Sequence, residues 1–321
     1  MRVYIARRLL QAVLVVIAVT TVMFFVFRVM PADPTTLLTE RGMPPEAREQ
    51  LLEKWGLNGS LAEQYVRYMA NLLTGDFGHS FFYQESTWEV LIPRIANTAW
   101  IAIPGTAVGA VVGVVLGALV GWVRRGSAVE RAGIFLATGV RGVPQFVLSI
   151  LMLMVFSAWL GWFPGFGMGE LGAGEGISRY FTTSFFLHLT LPVATFAIFI
   201  LPENLLLMRA GVVETRGEDF LELVRAKGVG EFRIAWHAAR NSLLPVITWL
   251  IPSLAETVAG IILIEVVFSW PGIGRELILA VNRQDYPLAQ ATFMLLAVMI
   301  VLANLVADLL YAKLDPRVTY E

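Results

Sequence analysis

The run from Leu9 to Phe27 contains no charged residue, and it constrains the fold more than any other feature of the chain. About 20 consecutive apolar residues cross a bilayer as an α-helix, the one open-chain conformation that satisfies all of its backbone polar groups within the segment. A signal peptide has a shorter apolar core and a small-residue cleavage site, so the run reads as an uncleaved first span. Similar runs recur at Thr98–Val123, Gly133–Leu160, Phe186–Met208, Val246–Phe268 and Leu288–Tyr311. With 57% hydrophobic residues, 15% charged residues and a mean hydropathy of +0.68, the chain is far more apolar than a soluble domain. The expectation is an all-α integral membrane protein of six spans, in contact with the lipid bilayer.

The basic residues orient it. Arg2, Arg7 and Arg8 precede the first span, and Arg124, Arg125 and Arg131 crowd the short loop after the second. Arg209, Arg216, Arg225, Lys227, Arg233 and Arg240 follow the fourth span, and Lys313 and Arg317 follow the sixth. Only Arg179, Arg275 and Arg283 fall in the opposite short loops, so the positive-inside rule places both termini in the cytoplasm.

Three parts follow: residues 1–30 as tail and first span, 31–96 as an external helical subdomain, and 97–321 as a five-helix core. In the external part, Pro44–Pro45 leads into a helix over Glu46–Trp55 that stops at Gly56. Ser60 with Glu63 forms a capping box, and Leu61, Tyr65, Tyr68, Met69 and Leu72 share the face of the helix it opens. That face is expected to pack on the membrane core. Residues 161–186, rich in glycine and aromatics, read as a mobile external loop, and Ile273, Leu277, Ile278 and Val281 as one face of a short helix too brief to span.

The charged loop 213–245 is the exception among the apolar runs. Thr215 with Glu218 is expected to cap a first helix, which Gly228 ends, with Asp219 and Glu222 early and Arg225 and Lys227 late, as the helix dipole favours. Phe232, Ala235, Trp236, Ala239 and Leu243 form an apolar stripe on a second helix. Two readings are open: a solvated loop whose charges enforce topology, or a docking device for a partner's groove.

Here the residues meet a family. Glu222, Ala226, Gly228 and Leu244–Pro245 resemble the cytoplasmic loop by which permeases of ABC importers dock on their ATPase subunit, although the family's Glu-Ala-Ala stands as Glu222–Leu223–Val224. The long interval to Pro245, with Arg225–Gly228 and Arg240–Pro245, resembles the dipeptide/oligopeptide branch, as do ARRLLQ (6–11), PADP (31–34), Gln64–Tyr65, GDFGHS (75–80), WPGIGRELILAVNRQDYP (270–287) and NLVADLLYAKLDPR (304–317). The resemblance spans nearly the whole chain. It implies a type I ABC-importer permease fold in a bacterial inner membrane, a second homologous permease, two ATP-binding cassette subunits that bind ATP and magnesium, and an external solute-binding protein. Asp219, Glu222, Arg225, Ala226, Lys227, Gly228, Leu244 and Pro245 are then the docking residues. The branch carries dipeptides, oligopeptides, nickel chelates, glutathione-like peptides and oligosaccharides, which leaves the cargo open, with peptides favoured.

Ionisable residues at membrane depth are costly and mark function or structural pairing. Arg141 and Glu203 lie at similar distances from the cytoplasmic ends of spans three and four, so they are expected to pair or to share a polar interior. Glu256 lies mid-span with no basic residue at its depth, which suits a cavity lining that receives a peptide's ammonium group; Glu265 needs a polar partner. Asn304 and Asp308 read as interhelical hydrogen-bond groups. Gly105, Gly109, Gly113, Gly117 and Gly121 repeat every four residues, a small-residue face whose partner helix lies in this chain or in the second permease.

Catalytic classes find no support. There is no phosphate-binding G-x-x-x-x-G-K-[ST], no H-E-x-x-H among His79, His188 and His237, and no G-x-S-x-G. No cofactor or metal site is expected on this chain, the balanced net charge of −1 gives no reason to expect nucleic acid, and the absence of cysteine excludes disulfides. An intramembrane enzyme and a non-transporting receptor remain as alternative classes.

Overall fold

A computed structural model describes residues 2–29, 59–169 and 176–314; of the helix residues at 2–5, 29, 251, 252, 254–259, 307 and 309–314 it describes the backbone only. The PADP block, the expected helix Glu46–Trp55, the centre of the 161–186 loop and the terminal Asp315–Arg317 therefore lie outside the described residues. The rest is helical: α1 (Arg2–Val29), α2 (Leu61–Leu73), α3 (Thr87–Trp122), α4 (Ala128–Arg141), α5 (Gln145–Met152), α6 (Thr183–Thr215), α7 (Asp219–Ala226), α8 (Glu231–Asn241), α9 (Leu243–Val267), α10 (Ile273–Asn282) and α11 (Tyr286–Leu314). A π-helical turn continues α5 from Leu153 to Trp159, and a 3-10 turn spans Gly176–Phe181.

Among the described residues, four helices are long and apolar enough to cross a membrane: α1, α3, α6 and α11. A fifth span exists if α4 and α5 with its π-helical extension are taken together, although they meet at 102°. The continuous third span expected at Gly133–Leu160 is thus broken. Pro144 is the cause, because it has no N–H for a helical bond and disfavours helical geometry at Val143; it stands in extended conformation ahead of α5. The other spans run longer than expected. α3 starts at Thr87, so the boundary drawn at residues 96 and 97 falls inside a helix, and α6 continues from Thr183 through Pro192 and Pro202 to Thr215.

The chain divides into two compact units, one of residues Met1–Asn97, Gly272–Leu305 and Thr319–Glu321, the other of Thr98–Pro271 and Val306–Val318. In the first, the capping box forms as expected: Glu63 N donates to Ser60 Oγ, and Ser60 N to the Glu63 carboxylate at 2.8 Å. Those bonds from Ser60 hold the exposed Glu63 carboxyl below its usual pKa. Tyr65 and Tyr68 pack on Phe24 of α1, and the Tyr65 and Thr21 hydroxyls lie 2.8 Å apart, while Leu61 stays exposed. Burial pushes the Tyr68 phenol up to about 12. A core of Phe27, Val90, Leu91, Ala280, Tyr286, Leu288, Ala289 and Ala291 joins α1, the start of α3, α10 and α11.

The same unit joins two sequence blocks that lie some two hundred positions apart. Buried Asp285, just ahead of α11, accepts from Ser80 Oγ, from Phe81 N at 3.0 Å and from Phe82 N at 3.1 Å. Gly78 leaves room beside Pro287, and Arg94 pairs with the buried Glu276 of α10 at 2.6 Å. The GDFGHS and RQDYP segments are therefore two halves of one structure.

In the second unit the glycines of α3 lie flat against α6. A Cβ at Gly109 would come within 2.6 Å of the Ala197 carbonyl oxygen, and one at Gly113 within 2.7 Å of the Leu201 oxygen. The small-residue face thus finds its partner within the chain. Glu265, fully buried, accepts from Thr98 Oγ1 at 2.5 Å. Trp100, Tyr180, Phe185 and Trp270 cluster with ring centroids 5.4–5.8 Å apart, and Gly167 N donates to Phe268 O at 2.9 Å, which ties down part of the loop expected to be mobile.

Candidate docking surface and polar cavity

The charged loop contains two short helices, α7 and α8, but their caps differ from expectation. Thr215 caps nothing, because it is the last residue of α6, and its hydroxyl lies 3.0 Å from that of Ser242. Glu218 instead occupies the position before α7, without a side-chain bond to it. α7 ends at Ala226, and Gly228 turns the chain at φ +74° with its N–H on the Arg225 carbonyl at 3.0 Å. Only glycine takes that left-handed conformation without cost.

The apolar stripe expected on α8 holds only in part: Ala235, Ala239 and Leu243 are half-buried, the last two against Met208, Val212 and Val246, while Phe232 and Trp236 face out. The buried face of α8 is Ile234 and Ala238, which meet Leu221 of α7 and lie against Trp122 at the end of α3. Phe232 and Trp236 of the expected stripe are 84% and 63% exposed, with Leu223 of α7 at 66%. The space beside Trp122 and Leu221 takes an isoleucine and an alanine, so the larger aromatics point outward. Asp219, Glu222, Arg225, Ala226, Lys227, Gly228, Leu244 and Pro245 are all exposed, the last two in the first turn of α9. Arg225 and Glu231 stand 3.6 Å apart at the surface, a pair of little energetic weight.

What holds this pair of helices is their attachment to the long ones. Arg216 sits over the Trp122 ring at 5.0 Å and donates to the carbonyls of Trp122 at 2.8 Å and Val123 at 2.9 Å, satisfying orphan acceptors at the end of α3. Arg209 of α6 pairs with the buried Glu130 of α4. Met208, Val212 and Val246 form a core with Val114, Ala118 and Leu243 partly buried around it. α7 and α8 are therefore packed against the long helices by buried and half-buried side chains. The sequence reading did not single out Arg216, Trp122 or Glu130; an arginine one residue after a long helix was the available signal.

The second feature is a cavity at the break between α4 and α5. Arg141, the last residue of α4, pairs with Glu203 of α6 at 3.0 Å, the contact expected from their depths. The pair lines a cavity of about 390 Å³ with Gln145, Phe199, Trp249 and Ser253. Gln145 is 7% exposed, and its Nε2 has no partner among the described residues. Its side chain fits because residue 260 is glycine, where a Cβ would stand 2.6 Å from Gln145 Oε1. Glu256 lies on α9 between Ser253 and Gly260, with its side chain outside the described residues. Gln145 and Trp249 were not picked out from the sequence, where neither carries a charge. Among the described residues no group of His, Cys, Asp or Glu could hold a metal ion.

The long apolar helices fit an integral membrane protein. Residues 113–320 match the family model of binding-protein-dependent transport system inner membrane components, and residues 1–102 match the model of the corresponding N-terminal region. The chain belongs to this family and is a multi-pass protein of the inner membrane. It is 30% identical over 322 residues to the oligopeptide transport system permease protein AppB of Bacillus subtilis (strain 168), covering 100% of both chains. It is 32% identical over 340 residues to the dipeptide transport system permease protein DppB of Escherichia coli (strain K12), covering 99% of each. To the glutathione transport system permease protein GsiC of Salmonella paratyphi A it is 30% identical over 323 residues, again covering 99% of each.

Proposed function

We propose that this chain is a permease subunit of an ATP-driven importer and forms half of the path by which short peptides cross the membrane. The relatives' names speak for peptide cargo, glutathione included. The six spans are α1, α3, the broken pair α4–α5, α6, α9 and α11, with both termini in the cytoplasm and residues 31–96 contributing an external subdomain. α9, at 25 residues, is long enough to be the span that completes the six. The companions are a second, homologous permease, two ATP-binding cassette subunits and an external solute-binding protein. The chain itself is not catalytic and binds no cofactor; ATP and magnesium belong to the ATPase subunits.

The observation that carries the docking half of this reading is the outward face of α7 and α8, exposed yet fixed to three long helices. In the mechanism, ATP binding draws the two ATPase subunits together, one of them carries α7 and α8 in a groove, and the helices behind them rotate as rigid bodies. The path then opens outward, receives solute from the binding protein, and reverts after hydrolysis.

The test is Gly228→Val in the assembled importer. A Cβ at this position meets open space, so the substitution acts on the φ +74° turn and not by collision. A left-handed β-branched residue costs about 1–2 kcal/mol or forces the turn to change. The account predicts normal insertion, retained ATP hydrolysis and loss of peptide uptake; uptake at the wild-type ratio to hydrolysis would contradict it.

A further inference from the structure

The cavity at the α4–α5 break has chemistry that the general transport reading leaves unused. Arg141 and Glu203 hold each other through one contact of 3.0 Å, and among the described residues neither has another partner. A guanidinium has five donors and a carboxylate about four acceptor sites, so most of the pair's bonding capacity stays open. The Arg141 side chain is 60% exposed and that of Glu203 22%, so both can be reached. Gln145 adds a third polar group to the lining, set beside Gly260, and its buried Nε2 has no partner among the described residues. An arriving carbonyl would supply that partner. Phe196, Phe199, Ile200 and Trp249 supply apolar walls.

We infer that this cavity is a subsite for a short zwitterionic peptide, in which Arg141 takes the α-carboxylate, Glu203 the α-ammonium and Gln145 a peptide carbonyl. A volume of about 390 Å³ lies at the small end of ligand sites, which suits a peptide of a few residues. The charged ends of an extended dipeptide stand up to about 7 Å apart, so binding parts the 3.0 Å ion pair and replaces it with two new charge-assisted contacts. Neither charge is left bare in the exchange. The apolar walls meet side chains without selecting among them. This inference rests on the reading of the chain as a peptide-importing permease, and the two can fail separately.

The experiment uses the importer assembled with cysteine-free companions in nanodiscs. This chain has no cysteine, so Phe199→Cys places a single thiol in the cavity wall, and its rate of modification by a maleimide reports occupancy. Alanyl-alanine is expected to slow modification. N-acetyl-alanyl-alanine, alanyl-alanine amide and free alanine are each expected to need at least about tenfold more, the loss of a charge-assisted hydrogen bond. Glu203→Gln should abolish the difference between free and acetylated peptide, and Arg141→Gln that between the free acid and the amide. If either variant fails to assemble, the blocked peptides on the Phe199→Cys protein alone decide the matter. Equal protection by free and blocked peptides, or by alanine and the dipeptide, overturns the subsite. ATP-driven uptake of alanyl-alanine by the wild-type importer is measured in parallel, and its absence strikes the peptide-importer reading itself.

Discussion

At the scale of single residues, Asp285 shows how much one buried carboxylate can organise. It accepts from a hydroxyl and two backbone N–H groups on the segment 80–82, so its removal takes the acceptor from the buried Ser80 hydroxyl and from two part-buried N–H groups. Asp285→Ala is expected to destabilise the protein by about 3 kcal/mol, seen as a lowered thermal midpoint in detergent, with Asp285→Asn intermediate. Ser60 gives a prediction in pH. Its bonds to Glu63 hold that carboxyl below the ordinary glutamate value, so the cap stabilises α2 above the ordinary value and is lost as pH falls through the lowered one. Protection of the amides of residues 61–65, taken relative to their intrinsic exchange rates at each pH, should drop on that acid limb in the wild type. Glu63→Ala, which removes the carboxylate that accepts from Ser60 N, should be less protected already at neutral pH and show no such limb. Asp285's partners on the segment 80–82 could not be read from the sequence, because they lie more than two hundred positions away and nothing in either segment names the other; only its bond from Leu288 N at 3.4 Å is local. The Arg141–Glu203 pair could be read, because counting residues from a membrane boundary gives depth directly.

At the scale of elements, the chain contains two matches to the same capping motif, and only one caps. Ser60 follows non-helical chain and closes its box with Glu63, whereas Thr215 and Glu218 fall where α6 continues past its expected end and takes Thr215 as its final residue. A cap needs a free helix start, which spacing alone does not reveal. Four of the spans were legible from hydropathy, and a fifth as a bent pair whose 102° break at Pro144 was not, since apolar composition is indifferent to the direction of the axis. The α8 stripe was right at Ala239 and Leu243 and missed at its aromatics: size favoured Phe232 and Trp236, while the available space favoured Ile234 and Ala238. The glycine repeat of α3 announced close packing without naming its partner, which the structure identifies as α6. Gly113→Leu would press against the Leu201 carbonyl and Asn204 and should force α3 and α6 apart, costing about 1–3 kcal/mol or preventing assembly. The yield of folded protein and its melting temperature in detergent check this.

At the scale of the whole molecule, the account treats this chain as a passive element moved by a separate motor through α7 and α8. Phe232 is the natural probe, since it is 84% exposed on α8 and would become the only thiol of a chain without cysteine. In inner-membrane vesicles holding the assembled importer, Phe232→Cys is joined by a short bifunctional maleimide to whichever neighbour lies against it, and the product is identified by mass spectrometry. The account predicts a crosslink to the ATP-binding subunit, with a yield that changes when ATP is trapped. Labelling of the same thiol from the outer face of intact cells by a membrane-impermeant maleimide, with no such crosslink, would contradict it.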